Sequence, residues 1–328
     1  RRQIAEYIVP LADRIYQKQA ARLGKKQLAF YDERLQFPDG NPSPKGEYEE
    51  LIEAARKMYH EMSPETAEFI DMMIDGENWD LKSRDGKEMG GYCTGVVEQG
   101  TPFIFANFNG TSGDVDVLTH EAGHGFQYYN SRNLPVTDLQ WPTNEACEIH
   151  SMTMEFNAWP WMESFFREDA DRYRYVHLSS AITFLPYGAL IDHFQHGVYN
   201  HPEMSREERK QCYRRLEKIY QPHKDYSEAP ILKKGCWWYR QGHVFQSPFY
   251  YIDYTLAQVC ALQFWIRNHH NDPDSWRDYL HLCRLGGMKS FTGLVKEAGL
   301  TVPFEDGCLK KIADEIEEYL MGIDDEAL

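Results

Sequence analysis

No stretch of this sequence approaches the ~18 consecutive apolar residues that a membrane-spanning helix needs, so no membrane partner is expected for it. Basic residues are scarce: 35 Lys and Arg stand against 51 Asp and Glu, a formal net charge of -16. Phosphate backbones are bound by an excess of Lys and Arg, so nucleic acid is not expected as a partner. Paired cysteines are missing too. The seven (Cys93, Cys147, Cys212, Cys236, Cys260, Cys283 and Cys308) are odd in number, and none forms a C-x-x-C pair. This argues against a disulfide framework and a cysteine zinc site, and favours a reducing, cytoplasmic setting. Internal repeats and low-complexity segments are absent.

The beginning lacks an initiator methionine and a helix cap. "RRQIAEYIVPLADRIYQKQAARLG" already carries Ile4, Tyr7, Ile8, Leu11 and Ile15 at helical spacing. A chain that opens inside a helix is expected to be the later part of a longer one, with the missing N-terminal portion packed on it. The 328 residues suffice for a sizeable core. One domain over 1–328 is expected.

Most of the chain reads as helix. Ser63-Pro64-Glu65 is a start signal with Pro at the first helical position. Ser205 with Glu208 makes a capping box. The exception is "GGYCTGVVEQGTPFIFANFN", rich in Gly, β-branched and aromatic residues. It predicts a strand near 91–97, a turn at 98–100 and a strand near 102–108. A helix over about 114–129 follows, with Thr111 and Asp114 as its expected cap. The fold class is therefore mainly α, with a small β-sheet next to one helix.

That helix carries His120-Glu121-Ala122-Gly123-His124. Residues four apart share a helix face, so His120 and His124 can offer their imidazoles to one Zn²⁺. Glu121 projects beside the metal and suits a general base. Gly123 and Gly125 each cost about 1 kcal/mol relative to Ala in a helix, which suggests close approach by another part of the chain. A third ligand is needed. "NEACEIHSMTMEF" offers Glu148, with Ser151 and Glu155 on the same face. Glu145 is the rival, three residues earlier. Glu155 is placed to accept the free N–H of a metal-bound histidine.

The pair of patterns, H-E-A-G-H at 120–124 and E-I-H-S-M-T-M-E at 148–155, resembles the oligoendopeptidase F / thimet oligopeptidase family of zinc peptidases. The resemblance implies a zincin-like helical catalytic domain. It makes Glu148 the third ligand and leaves Glu145 outside the pattern. The stretch from Gly90 to Thr111 is similar to the family's edge strand, which receives substrate backbone; Gly90, Gly91, Tyr92 and Cys93 are the implied contacts. "GHVFQSPFYYIDYTLAQ" at 242–258 is similar to the family's late His and F-Y-x-x-x-Y segment. By that likeness Tyr254 faces the substrate carbonyl, His243 assists it, and Tyr250 contacts substrate. Ser247 departs from the pattern, standing where thimet-type members carry a further tyrosine.

The resemblance thus implies a zinc-dependent endopeptidase, with one Zn²⁺ per chain, that hydrolyses short unfolded peptides in a deep channel. Two other readings fit the same residues: a helical zinc metallocarboxypeptidase, and a fragment that binds peptides without cleaving them. His150, His193, His196, His201, His269 and His270 receive no role.

Overall fold

The computed structural model describes residues 1–328, apart from the side chain of Glu326. In chain order the helices are α1 (Val9–Arg22), α2 (Tyr48–Met62), α3 (Pro64–Asp75), α4 (Gly113–Ser131), α5 (Asn144–Asn157), α6 (Glu163–Phe166) and α7 (Ala170–Asn200). Next come α8 (Arg206–Tyr220), α9 (Pro230–Lys233), α10 (His243–Gln246), α11 (Tyr251–His269), α12 (Ser275–Leu285), α13 (Phe291–Glu297) and α14 (Cys308–Gly322). Three strands, β1 (Trp79–Lys82), β2 (Tyr92–Val96) and β3 (Thr101–Phe108), stand between α3 and α4. The chain is mainly α with one small sheet, as the sequence predicts. Among the described residues, no helix is long and apolar enough to cross a membrane.

Helix starts follow local chemistry. At α3, Thr66 N donates to Ser63 Oγ at 3.1 Å and Ser63 N to Thr66 Oγ1 at 3.0 Å. Two otherwise orphaned amides are satisfied reciprocally. At α8 the Ser205–Glu208 box forms in both directions. The start of α4 differs from expectation. Its first turn has no side-chain cap. Asp114 instead reaches back and accepts from Asn109 N and Gly110 N, both at 2.8 Å, tying the turn before the helix.

Contacts divide the chain into two units. One comprises Pro42–Arg174 and Cys260–Val302. Its sheet order is β1-β3-β2, with β1 parallel and β2 antiparallel to β3. The β2–β3 hairpin is the predicted one, with Cys93 opposite Ile104 and Gly95 opposite Pro102. β1 was not expected. It is four residues long and pairs with a strand that comes much later in sequence. The outer edge of β2 carries no strand among the described residues.

The helix α4 packs on this sheet and against α5. Its two glycines explain how closely. A Cβ at Gly123 would lie 2.7 Å from Ser151 Cα and 2.9 Å from His150 O. No side chain fits there, so the two helix backbones nearly touch. A Cβ at Gly125 would meet the Phe69 ring at 3.1 Å and Pro102 Cβ at 3.5 Å. Phe126 lies edge-on to Phe69 at 5.6 Å and is stacked with Tyr279 at 6.4 Å. Tyr59 OH donates to Leu118 O at 2.9 Å, and Tyr279 OH to His150 O at 2.9 Å. These two buried hydroxyls thus find backbone acceptors.

The second unit comprises Arg1–Asn41, Tyr175–Val259 and Pro303–Leu328. Its first residues are helical, as their spacing predicts: a π-helical turn at Ile4–Ile8 runs into α1. Gln3 Nε2 donates to Glu305 O at 3.0 Å, ahead of α14. Within this unit α7 meets α11 where Gly188 faces Thr255; a Cβ at Gly188 would lie 1.9 Å from Thr255 Oγ1. Phe249 enters α11 with φ of 65°, a conformation costly for a bulky side chain. Its ring is held between His196 at 5.0 Å and Tyr199 at 4.9 Å.

Candidate active site

Two successive long helices of the first unit build the site. On α4, His120 and His124 stand one turn apart on one face, with ring centroids 5.0 Å from each other. The helix α5 brings Glu148 to them. Glu148 Oε2 lies 3.3 Å from His120 Nε2 and 3.4 Å from His124 Nε2. Nitrogens of both rings and one carboxylate oxygen lie within 4.8 Å of one another, an arrangement able to hold a metal ion. Glu145 is not part of that group.

The surroundings orient each member. Glu155 Oε1 is 2.6 Å from His120 Nδ1, which leaves Nε2 directed at the group. Ser151 Oγ donates to Glu148 Oε2 at 3.1 Å. Glu148 is only 6% exposed. Burial alone would raise its carboxyl, but His124 and His120 hold it far below the ordinary carboxylate range. Burial works against charge on His120 as well, and there Glu148 and Glu155 prevail and raise it well above the usual histidine range. A buried carboxylate facing two imidazoles, with a half-buried one behind His120, suits a cation. This donor set, nitrogen and carboxylate oxygen with one histidine braced from behind, fits a divalent metal.

Glu121 is not part of that group. Its Oε1 lies 3.5 Å from where a Cβ of Gly91 would be, just ahead of β2. The general-base candidate therefore borders the segment that leads into β2. Gly90, Gly91 and Tyr92 are exposed there, and Tyr92 stacks on Phe105 at 5.2 Å. The Cys93 thiol is pushed well up by burial and by the charge of Glu121, so it offers no competing thiolate. Two residues that sequence reasoning missed brace the segment before β2. Lys87, with its side chain 1% exposed, donates to Asp80 O at 2.9 Å, Asp80 Oδ1 at 3.0 Å and Lys82 O at 3.0 Å. Asn107 Nδ2 donates to Glu88 O at 2.8 Å and Gly90 O at 3.0 Å. A lone lysine and a lone asparagine carry no sequence signal of such roles.

The second unit holds the other residues singled out. His243 opens α10, and its ring lies 5.8 Å from Tyr254 and 5.8 Å from Tyr250. Tyr250 and Tyr254, one helical turn apart, are 4.9 Å from each other. These three form one aromatic group with Tyr251. Ser247 N donates to His243 O at 3.0 Å and ends α10.

Residues 2–314 match the family model of peptidase family M3. The chain belongs to peptidase family M3. An X-ray structure described as a candidate oligoendopeptidase F is similar over 100% of this chain, with 53% identity and a TM-score of 0.96. PZ peptidase A with inhibitor 2 is similar over 99% of the chain, with 52% identity and a TM-score of 0.95. A candidate oligoendopeptidase F from Bacillus anthracis str. Ames matches over 100%, at 51% identity and a TM-score of 0.90. No curated protein matches the chain. The chain covers 58%, 58% and 56% of these three structures respectively.

The family that the H-E-A-G-H and E-x-x-S-x-x-x-E patterns suggested is the one found. Within the M3 fold, the patterns at 120–124 and 148–155 come together on α4 and α5 of one unit. The late histidine and tyrosines come together in the other. Of the histidines left without a role, His150 is fully buried, and burial lowers it to about 4, so it stays neutral in the core.

Proposed function

We propose that residues 1–328 are the catalytic portion of a zinc-dependent endopeptidase that hydrolyses short unfolded peptides. The observation that carries this reading is the convergence of His120, His124 and Glu148 within 4.8 Å, with Glu121 one residue along the same helix. Histidine and carboxylate donors in this number suit a catalytic zinc site, which keeps one position open. A Zn²⁺ ion held there would supply a Lewis acid and make a water acidic enough to attack near neutral pH.

The chain's own residues do the rest. Glu121 takes a proton from the attacking water and passes it to the leaving amine. Glu155 keeps the His120 ring turned so that Nε2 faces the ion. Tyr254, with His243, donates to the carbonyl oxygen as negative charge builds on it. Substrate adds as a strand along Gly90, Gly91, Tyr92 and Cys93, with Tyr250 as a further contact, so backbone rather than one side chain is recognised. The endopeptidase mode and the short peptides are supported by likeness to the oligoendopeptidase F structures. A further portion of the protein, which these longer relatives leave room for, packs on this chain. Seven free cysteines agree with a reducing compartment, and we place the protein in the cytoplasm.

The test pairs metal analysis of the purified chain with turnover of an internally quenched peptide before and after chelation. About one zinc per chain and chelator-sensitive cleavage between internal residues are expected. Metal-independent cleavage, or stoichiometric zinc with no turnover of any short peptide, would overturn the reading.

A further inference from the structure

Gln241 stands between two side chains of the second unit. Its Nε2 lies 2.8 Å from Nδ1 of His243, and its Oε1 accepts from the Tyr187 hydroxyl at 3.1 Å. An amide nitrogen can only donate, so Nδ1 must accept. A neutral imidazole that accepts at Nδ1 carries its proton at Nε2. The opposite tautomer would set one N–H against another at 2.8 Å.

The other end of the amide meets Tyr187. Burial pushes the Tyr187 hydroxyl up to about 12, so it keeps its proton and can give it to Oε1. Tyr251 lies edge-on to both rings, 5.1 Å from His243 and 5.7 Å from Tyr187. The helix α7 supplies Tyr187, the segment ahead of α10 supplies Gln241, and α11 supplies Tyr251. Three separate parts of the unit thus converge to hold one imidazole.

We propose that Gln241 is a positioning residue which, braced by Tyr187, fixes His243 as the Nε2–H tautomer. His243 then enters the reaction as a neutral hydrogen-bond donor and not as a base. The catalytic half of this inference rests on the reading of His243 as a donor to the substrate carbonyl; the tautomer does not. No side chain nearer the metal group is invoked.

The tautomer is read directly by ¹⁵N NMR of zinc-loaded, ¹⁵N-histidine-labelled protein, with His243 assigned by its absence in His243→Asn. A pyrrole-like Nε2 and a pyridine-like Nδ1 are expected. Gln241→Glu puts a carboxylate beside Nδ1 and draws a proton to that nitrogen. Gln241→Met releases the ring to both tautomers, and Tyr187→Phe moves it part of the way. A parent protein with the proton on Nδ1, or His243 signals unchanged in both Gln241 variants, overturns the proposal.

Kinetics test the second half. In Gln241→Met, kcat on a quenched peptide falls a few fold, short of the roughly 10²–10³-fold typical of a fully lost oxyanion donor, while KM and zinc content stay near the parent's. In a His243→Ala background the same substitution has no further effect, because coupled residues are not additive. A tautomer that moves with no change in kcat overturns the catalytic half, and with it the donor role of His243, while the hold of Gln241 on the ring stands. If the parent cleaves no peptide, the proposed function fails and the NMR still decides the tautomer.

Discussion

Glu155 Oε1 lies 2.6 Å from Nδ1 of His120, and His120 Nε2 faces Glu148. The imidazole is therefore gripped at one nitrogen and presented at the other. A carboxylate in that place fixes the tautomer and makes the ring a better metal ligand. Glu155→Ala is expected to weaken zinc binding by roughly 10–100-fold, read by competition with a chromophoric chelator. An unchanged affinity would reduce Glu155 to a packing residue.

Glu148→Ala is expected to abolish tight zinc binding, while Glu145→Ala leaves it intact. Glu148 lies against both imidazoles; Glu145 is outside the group. The reverse outcome in metal titrations would transfer the third ligand to Glu145.

Glu121→Gln should retain stoichiometric zinc and lose nearly all turnover. The carboxylate borders Gly91 and is not a member of the ligand group. Its amide cannot accept a proton from water. Loss of zinc from this variant, measured by elemental analysis, would mean that Glu121 has a structural part in the metal site.

Tyr254→Phe is expected to lower kcat by roughly 10²–10³-fold with little effect on KM. A donor that acts on developing charge contributes in the transition state and not in the ground state. The ring remains to pack on Tyr250, so zinc content and melting temperature should be unchanged. Steady-state kinetics with near-normal kcat would assign Tyr254 to the aromatic group alone.

Gly123→Ala should destabilise the protein by about 1–3 kcal/mol through overpacking, because the new methyl meets the α5 backbone, which cannot swing aside. Gly322→Ala, where a Cβ meets nothing within 4 Å, serves as the control and should not lower stability. Thermal unfolding followed by circular dichroism compares them. Equal melting temperatures would show that α4 and α5 can separate freely.

Some of this was legible in the sequence because the signal was local. The β2–β3 hairpin announces itself through β-branched and aromatic residues between glycines. Ser63 and Ser205 mark helix starts by the bonds their own hydroxyls make. Gly123 and Gly125 told of a close approach before its partners, Ser151 and Phe69, were known. The two patterns on α4 and α5 are dense enough in metal-binding residue types to be read at sight. Other features depend on distant partners. β1 is a strand only because β3 lies beside it. Lys87 reads as a solvated cation until Asp80 and the backbone around it close over the ammonium. Gln241 is an unremarkable loop residue until Tyr187, far off in sequence, meets its amide. Asp114 has the residue type of a cap, and instead ties the preceding turn by accepting from the amides of Asn109 and Gly110.

The contact at Gly123 has an engineering consequence. Where two helix backbones rest against each other, their separation works like a hard stop. The spacing between the histidine pair on α4 and the carboxylate on α5 is therefore gauged at that stop, and not by the connection over 132–143. The exposed tip of that connection, 135–138, can lengthen, shorten or change composition as slack between two bolted parts. Drift accumulates in the loop, while the calibration of the site is kept in a single missing methyl group.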